Sequence, residues 1–187
     1  MSYPHPRKRY EEYVYVLDFI PRGKSLTVRG REGPIVQSIG EDWFTLLEVL
    51  GMKNATFEVG ERVCVGKHER VKVVSVLGKL TYDMLTPRAK MELPSVVERI
   101  VRENERRFVD YFNRLQPITP RIHSLELIPG IGKTLMFRIL REREKKPFES
   151  FEELEKRAGL KDPIGSVVKR IIQELEGDER INIFVRK

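Results

Sequence analysis

Cysteine is nearly missing from this chain. Cys64 is the only one among 187 residues, so no intrachain disulfide can form. That excludes the disulfide-stapled secreted scaffolds and fits a reducing compartment. Histidine is scarce too. His5, His68 and His123 lie far apart, and with a single cysteine they give no ligand spacing for a structural zinc. No apolar run approaches the ~18 residues a membrane span needs. Behind the basic start, Glu11 and Glu12 stand where a signal peptide would place its apolar stretch. The expectation is a cytoplasmic protein with no membrane partner. Asn (four) and Gln (three) are also few, beside abundant Glu, Lys and Arg, a composition common in heat-adapted proteins.

Motifs of catalysis are missing as well. Gly130-Ile131-Gly132-Lys133-Thr134 ends like a P-loop, but no glycine precedes Gly132 across the four-residue spacer that motif needs. There is no Lys-x-Asp-Gly nucleotidyl-transfer motif and no glycine-flanked serine nucleophile. Carboxylates are plentiful, but they alternate with bases and form no evident metal cluster. No catalytic residue, metal or cofactor is expected. A nuclease with acidic residues scattered along the sequence stays open.

What the chain does have is charge and enough apolar residues for a core. Hydrophobic residues make up 40% and charged residues 34%, the latter above the usual quarter. The net charge is +7 and the pI about 9.5, the balance of many phosphate-binding domains. The excess is spread along the chain, so only the fold can gather it into a face.

The pattern divides the chain at about residues 80 and 116. Residues 1–80 start with a tail carrying Arg7-Lys8-Arg9, a secondary candidate for phosphate contact. Strands are expected at Tyr13–Ile20, Ile35–Ile39, Phe44–Leu50, Arg62–Val65 and Val71–Leu77, rich in β-branched and aromatic residues and punctuated by glycine. Five short strands of this kind suggest a small closed barrel. Residues 81–116 read as a helical connector: a short helix over Thr81–Met91, then a long one opened by Leu93-Pro94-Ser95. In 117–187, Ser124–Ile128 and Lys133–Glu144 are helical, Ser150 caps a third helix, and Asp162-Pro163 opens a fourth that stops at Gly177. Alternation over Arg180–Arg186 predicts a final strand. A lone strand leaves its edges unpaired, so it is expected to join the N-terminal sheet and dock the two halves together.

One segment carries the functional expectation. Leu125-Glu126-Leu127-Ile128-Pro129-Gly130-Ile131-Gly132-Lys133, continued by Leu135, Met136, Ile139 and Leu140, resembles the helix-hairpin-helix family, with every signature position filled. Gly130 and Gly132 suit a turn too tight for a Cβ, and they leave backbone N–H groups open to a ligand. The second helix starts there, and its first N–H groups lack intrahelical partners. Those donors and the helix dipole favour an anion, and Lys133 adds a full charge. Ile131 is expected to point inward with Leu125 and Ile128. Gly130, Ile131, Gly132, Lys133 and Thr134 are therefore the expected site for one phosphate, read without reference to base sequence.

A second, degenerate copy follows. Phe148–Leu154 resembles the segment that links paired hairpins, and Ala158-Gly159-Leu160-Lys161 occupies the second turn with Lys161 in place of a glycine. Gly159 and Lys161 are secondary candidates. The N-terminal half resembles an OB-fold or S1-like barrel, in which Tyr13 and Tyr15 could stack on bases. The whole arrangement looks like an uncharacterised archaeal family described as predicted nucleic-acid-binding proteins. The expected fold is thus α+β: an OB/S1-like barrel, a helical connector, and a paired helix-hairpin-helix domain with a final strand on the barrel. The expected function is sequence-independent binding of RNA or DNA without catalysis. A repair or processing enzyme that uses the hairpins for grip, and an assembly factor that uses them to dock protein, are the alternatives.

Overall fold

A computed structural model describes residues Tyr10–Arg186. The Arg7-Lys8-Arg9 tail lies outside the described residues. The fold is α+β, and the chain divides into two compact units. One runs up to Val96 and adds Leu175–Gly177 and the segment from Phe184. The other comprises Val97–Glu174 and Asp178–Ile183.

The first unit is built on five strands: β1 (Tyr13–Lys24), β2 (Glu32–Gly40), β3 (Leu46–Gly51), β4 (Arg62–Cys64) and β5 (Val73–Lys79). They form one curled antiparallel sheet in the order β4-β1-β2-β3-β5. Val14, Val16, Val36, Leu47, Val49, Val63 and Val73 supply a buried cluster together with Phe57. Each such side chain stabilises by about 1.5–3 kcal/mol when fully removed from water.

The expected closed barrel is not formed. The sheet is a half-barrel whose edges, β4 and β5, do not pair. Arg70 reaches across instead, with Nε on the Val65 carbonyl (2.9 Å) and Nη1 on the Val74 carbonyl (2.9 Å). Phe44 does not open β3. It is buried at φ +56°, inside a turn whose Asp42, Trp43 and Thr45 N–H groups all donate to the Glu11 carboxylate.

The connector also departs from expectation. After a 3₁₀ turn at Tyr82–Met84, α1 (Pro87–Glu103) runs straight through Pro94, and the break falls at Asn104, before α2 (Glu105–Arg114). The Asn104 side chain donates to the Ile100 carbonyl at 2.8 Å. Such a local bond competes with the helical ladder and ends it. The start of α1 is fixed by Thr86, whose hydroxyl donates to Asp18 (2.7 Å) and accepts from the Ala89 N–H (3.0 Å).

The second unit continues with a 3₁₀ turn (Ser124–Leu127), α3 (Lys133–Lys145), α4 (Phe151–Glu153, continuing as a π-turn through Leu154–Ala158) and α5 (Pro163–Glu176). Ser150 caps α4 by accepting from the Glu153 N–H, and Gly177, at φ +93°, follows α5. Leu125, Ile128, Ile139, Phe148, Leu154, Val167 and Ile171 are fully buried.

The expected strand over Arg180–Arg186 is absent. Side chains replace the sheet ladder that would have held it. The Ile181 carbonyl accepts from Arg170 (2.7 Å) and the Ile183 N–H donates to Glu174 (2.9 Å). In the first unit, the Arg186 N–H donates to the Trp43 carbonyl at 3.2 Å.

Candidate functional site

The Ile128–Thr134 turn joins the 3₁₀ segment to α3. Pro129 has no N–H to lose, and Gly130 sits at φ +90°, a conformation that L side chains avoid. A Cβ on Gly130 would also lie 3.3 Å from the Ser166 hydroxyl of α5. Gly132 behaves differently from expectation. It is extended (φ −93°, ψ −172°), and a Cβ there would meet nothing within 4 Å. The space beside Gly132 is open to solvent, so its lack of a side chain serves approach from outside.

Among the described residues no side chain caps the start of α3. Gly132, Lys133 and Thr134 are exposed, at the place where a helix presents N–H donors without intrahelical acceptors. Ile131 contributes neither side chain nor donor to this surface, because its side chain is buried and its N–H bonds to the Ile128 carbonyl (3.1 Å). Leu125, Ile128 and Ile131 are all buried, as their inward role requires.

Lys133 is already engaged. Its ammonium donates to the Arg121 carbonyl (2.7 Å) and pairs with Glu126 (3.1 Å). The His123 N–H and the Lys133 ammonium together hold the Glu126 carboxyl below its ordinary range. His123 Nδ1 accepts from the Leu125 N–H (3.0 Å). Its buried Nε2 has no partner among the described residues, and burial together with the nearby Arg143 pushes the ring toward the neutral form.

The second turn differs beside its glycine and at the start of its helix. Gly159 is left-handed at φ +80°, but the Arg138 guanidinium covers it, 2.8 Å from where a Cβ would stand and within reach of the Ala158 carbonyl. Beyond exposed Lys161, the Asp162 carboxylate sits on the start of α5 and accepts from the Gly165 N–H (3.0 Å). One helix start is bare and the other is covered by a carboxylate.

Sequence reasoning missed the residue that fixes this geometry. Arg170 of α5 is buried beside Glu174 (2.9 Å), reaches Glu179 (3.2 Å), and donates to the Leu127 carbonyl (3.3 Å), immediately before the first turn. The signal was present: Val167, Arg170, Ile171 and Glu174 share an apolar stripe, and charges on such a stripe must be paired.

Of the two tyrosines, one is out of reach of a base and the other has a ring face already covered. Tyr15 is fully buried in the core of the sheet. The Tyr13 ring is covered by Arg62, 3.7 Å from its centroid, while Arg62 grips Glu41 with two nitrogens. Among the described residues, no group of three or more His, Cys, Asp or Glu side chains could hold a metal ion, and no helix is long and apolar enough to cross a membrane.

Comparison with known proteins places this chain among archaeal relatives. It is 43% identical over 187 residues to the uncharacterized protein MJ0038 of Methanocaldococcus jannaschii, covering 99% of this chain and 84% of that one. Its fold is similar to the crystal structure of Af1531 from Archaeoglobus fulgidus, with a TM-score of 0.83 and 44% identity over 94% of this chain and all of that one. The family model described as "Protein of unknown function (DUF655)" matches residues 10–186, and with two relatives of this identity and coverage beside it, the chain belongs to the DUF655 family.

Proposed function

We propose that this chain binds the phosphate backbone of nucleic acid, RNA or DNA, without regard to sequence and without catalysing a reaction. The segment around Gly130 acts in this reading as a helix-hairpin-helix. The observation that carries it is the bare, exposed start of α3 at Gly132, Lys133 and Thr134, directly after the left-handed Gly130. Helix N-termini of this kind favour anions through unsatisfied N–H groups and the helix dipole. The contrast with α5, whose start the Asp162 carboxylate occupies, supports a phosphate site at the first of the two hairpin turns and not at the second. A phosphate at the first turn would share the Lys133 ammonium with Glu126 or draw it away.

The sheet unit is read as OB-like on the strength of its five curled strands, with β1 lying between β2 and β4. Tyr15 is buried and Arg62 lies over the Tyr13 ring, so in this reading the chain holds phosphate and does not stack bases on these rings.

The test is a salt titration of affinity with the full chain and single-stranded and duplex RNA and DNA of mixed sequence. Lys133→Ala should weaken binding to all of them alike and reduce the slope of log affinity against log salt by about one unit, the share of one neutralised phosphate. Gly130→Val, which blocks the turn, should do more harm, and Lys161→Ala less. An unchanged slope in both Lys133→Ala and Gly130→Val would overturn the reading. Chelator-sensitive cleavage of any of these substrates would overturn its non-catalytic half.

A further inference from the structure

In the sheet unit several cations have partners. Arg62 is paired with Glu41, Lys72 with Glu61, and Arg70 with two carbonyls. The end of β1 and the loop that leads from it to β2 are different. Arg22, Lys24, Arg29 and Arg31 fall between Pro21 and Glu32 with no acidic residue among them, and all four are exposed. Arg22, Arg29 and Arg31 carry no ion pair and no side-chain hydrogen bond among the described residues. Only Lys24 has a carboxylate near, Glu32 at 4.0 Å, and both are so exposed that water screens the pair.

This loop is also held in one shape, which a solvated charge run is not. Glu48 of β3, itself buried, accepts from the Ser25 hydroxyl (2.5 Å), the Leu26 N–H (2.8 Å), the Thr27 hydroxyl (2.6 Å) and the Thr27 N–H (3.3 Å). Ser25 in turn accepts from the Val28 N–H (2.8 Å), and the Ser25 N–H closes the loop on the Arg31 carbonyl (2.8 Å). Gly78, the cross-strand neighbour of Glu48 on β5, leaves room for Thr27, whose Cβ lies 2.9 Å from where a Gly78 Cβ would stand. One buried carboxylate therefore gathers the loop's hydroxyls and N–H groups inward and leaves its cations outward.

We propose that the Arg22–Arg31 loop is a second phosphodiester-binding site, in which Arg29 and Arg31, flanked by Arg22 and Lys24, grip the backbone of a nucleic acid strand. Three of the four cations are arginines, whose planar forks match pairs of phosphate oxygens. Fixing the loop before binding removes part of the ordering cost. An anionic membrane is the weaker fit, because the loop has only Leu26 and Val28 as exposed apolar side chains and no amphipathic helix to lay into lipid. The site shares a ligand class with the α3 hairpin and does not depend on it.

The experiment compares the full chain with Arg29→Ala/Arg31→Ala, Lys133→Ala and Glu48→Ala. The probes are labelled single-stranded and duplex RNA and DNA of mixed sequence, and vesicles of neutral lipid with and without phosphatidylglycerol. The double arginine variant should bind nucleic acid several-fold more weakly, with a salt slope reduced by about two units, one for each phosphate no longer neutralised. Glu48→Ala removes a negative charge, so general electrostatics alone would tighten binding; release of the loop should weaken it. Where Glu48→Ala fails to fold, Gly78→Ala displaces Thr27 without a charge change and should weaken binding in the same way. A double arginine variant that binds like the parent overturns this proposal, whatever Lys133→Ala does. So does a parent that binds phosphatidylglycerol vesicles but none of the nucleic acids. If the arginine variant is weakened while Lys133→Ala and Gly130→Val both keep the parent's slope, the loop site stands and the hairpin reading falls.

Discussion

Lys133 is drawn two ways, toward Glu126 and the Arg121 carbonyl in the free protein and toward a phosphate in the proposed complex. Glu126→Gln should keep an acceptor for the His123 N–H while removing the competing charge. Its affinity for nucleic acid, read by fluorescence anisotropy, should rise several-fold; unchanged or weaker binding would mean that the pair does not restrain Lys133. Arg170 is a stability residue by the same kind of reasoning. Arg170→Met leaves the Glu174 carboxylate buried without its partner, and urea unfolding should show a loss of about 3–5 kcal/mol. Replacing both charges with apolar residues should recover part of it. Two buried carboxylates of the first unit, Glu48 and Glu11, are shifted in opposite senses. Burial opposes ionisation of Glu48, but the donors at Leu26, Ser25 and Thr27 outweigh it and hold the group below its ordinary range. A carboxyl lowered in this way stabilises the fold above its unfolded titration range, and that contribution is lost as pH falls through the folded value. Glu11 is raised, mainly by burial, so its contribution is fullest at acid pH and is lost as pH rises through its folded value. The melting temperature of Glu48→Gln should therefore fall less steeply on acidification than that of the parent; parallel acid limbs would count against this assignment.

At the scale of elements, most of the chain was legible because its punctuation is local. Ser150, Pro163 and Gly177 mark helix ends by their own chemistry, and five runs of β-branched and aromatic residues gave five strands. The failures have physical causes. Pro94 marks a helix start in sequence, yet its neighbours' packing carries α1 through it, and the small polar Asn104 makes the break. Pro94→Ala should keep α1 intact and stabilise the chain by up to about 3 kcal/mol, the interior cost of proline, measurable by denaturant unfolding. The alternation at Arg180–Arg186 was real, but buried side chains took its backbone groups before any strand could. As for the candidate site, Gly130 and Lys133 could be read directly. The contrast between the bare α3 and the capped α5 could not, because both starts follow a glycine-containing turn. Asp162→Ala should cost about 1 kcal/mol, as loss of a helix cap does. A chain whose stability is indifferent to it would show that the cap is incidental.

At the scale of the whole molecule, net charge was legible and its distribution was not. The excess of basic residues is even along the chain, and only folding decides which cations are paired, as Arg62 and Lys72 are, and which, like Arg29 and Arg31, have no ion pair among the described residues. The barrel was overdrawn for a related reason: five strands fix the number of possible neighbours, while closure depends on whether the last two meet. Because β4 and β5 do not, the sheet keeps two open edges, and an open edge is a template for a strand from another molecule. Arg70 occupies a carbonyl beside each of them, Val65 and Val74, and so puts a charge where an incoming backbone would have to dock. The cation that spans the gap within one chain would then also keep chains apart. Arg70→Ala should aggregate on heating at concentrations where the parent stays clear, a difference that light scattering would register before any change in ligand binding.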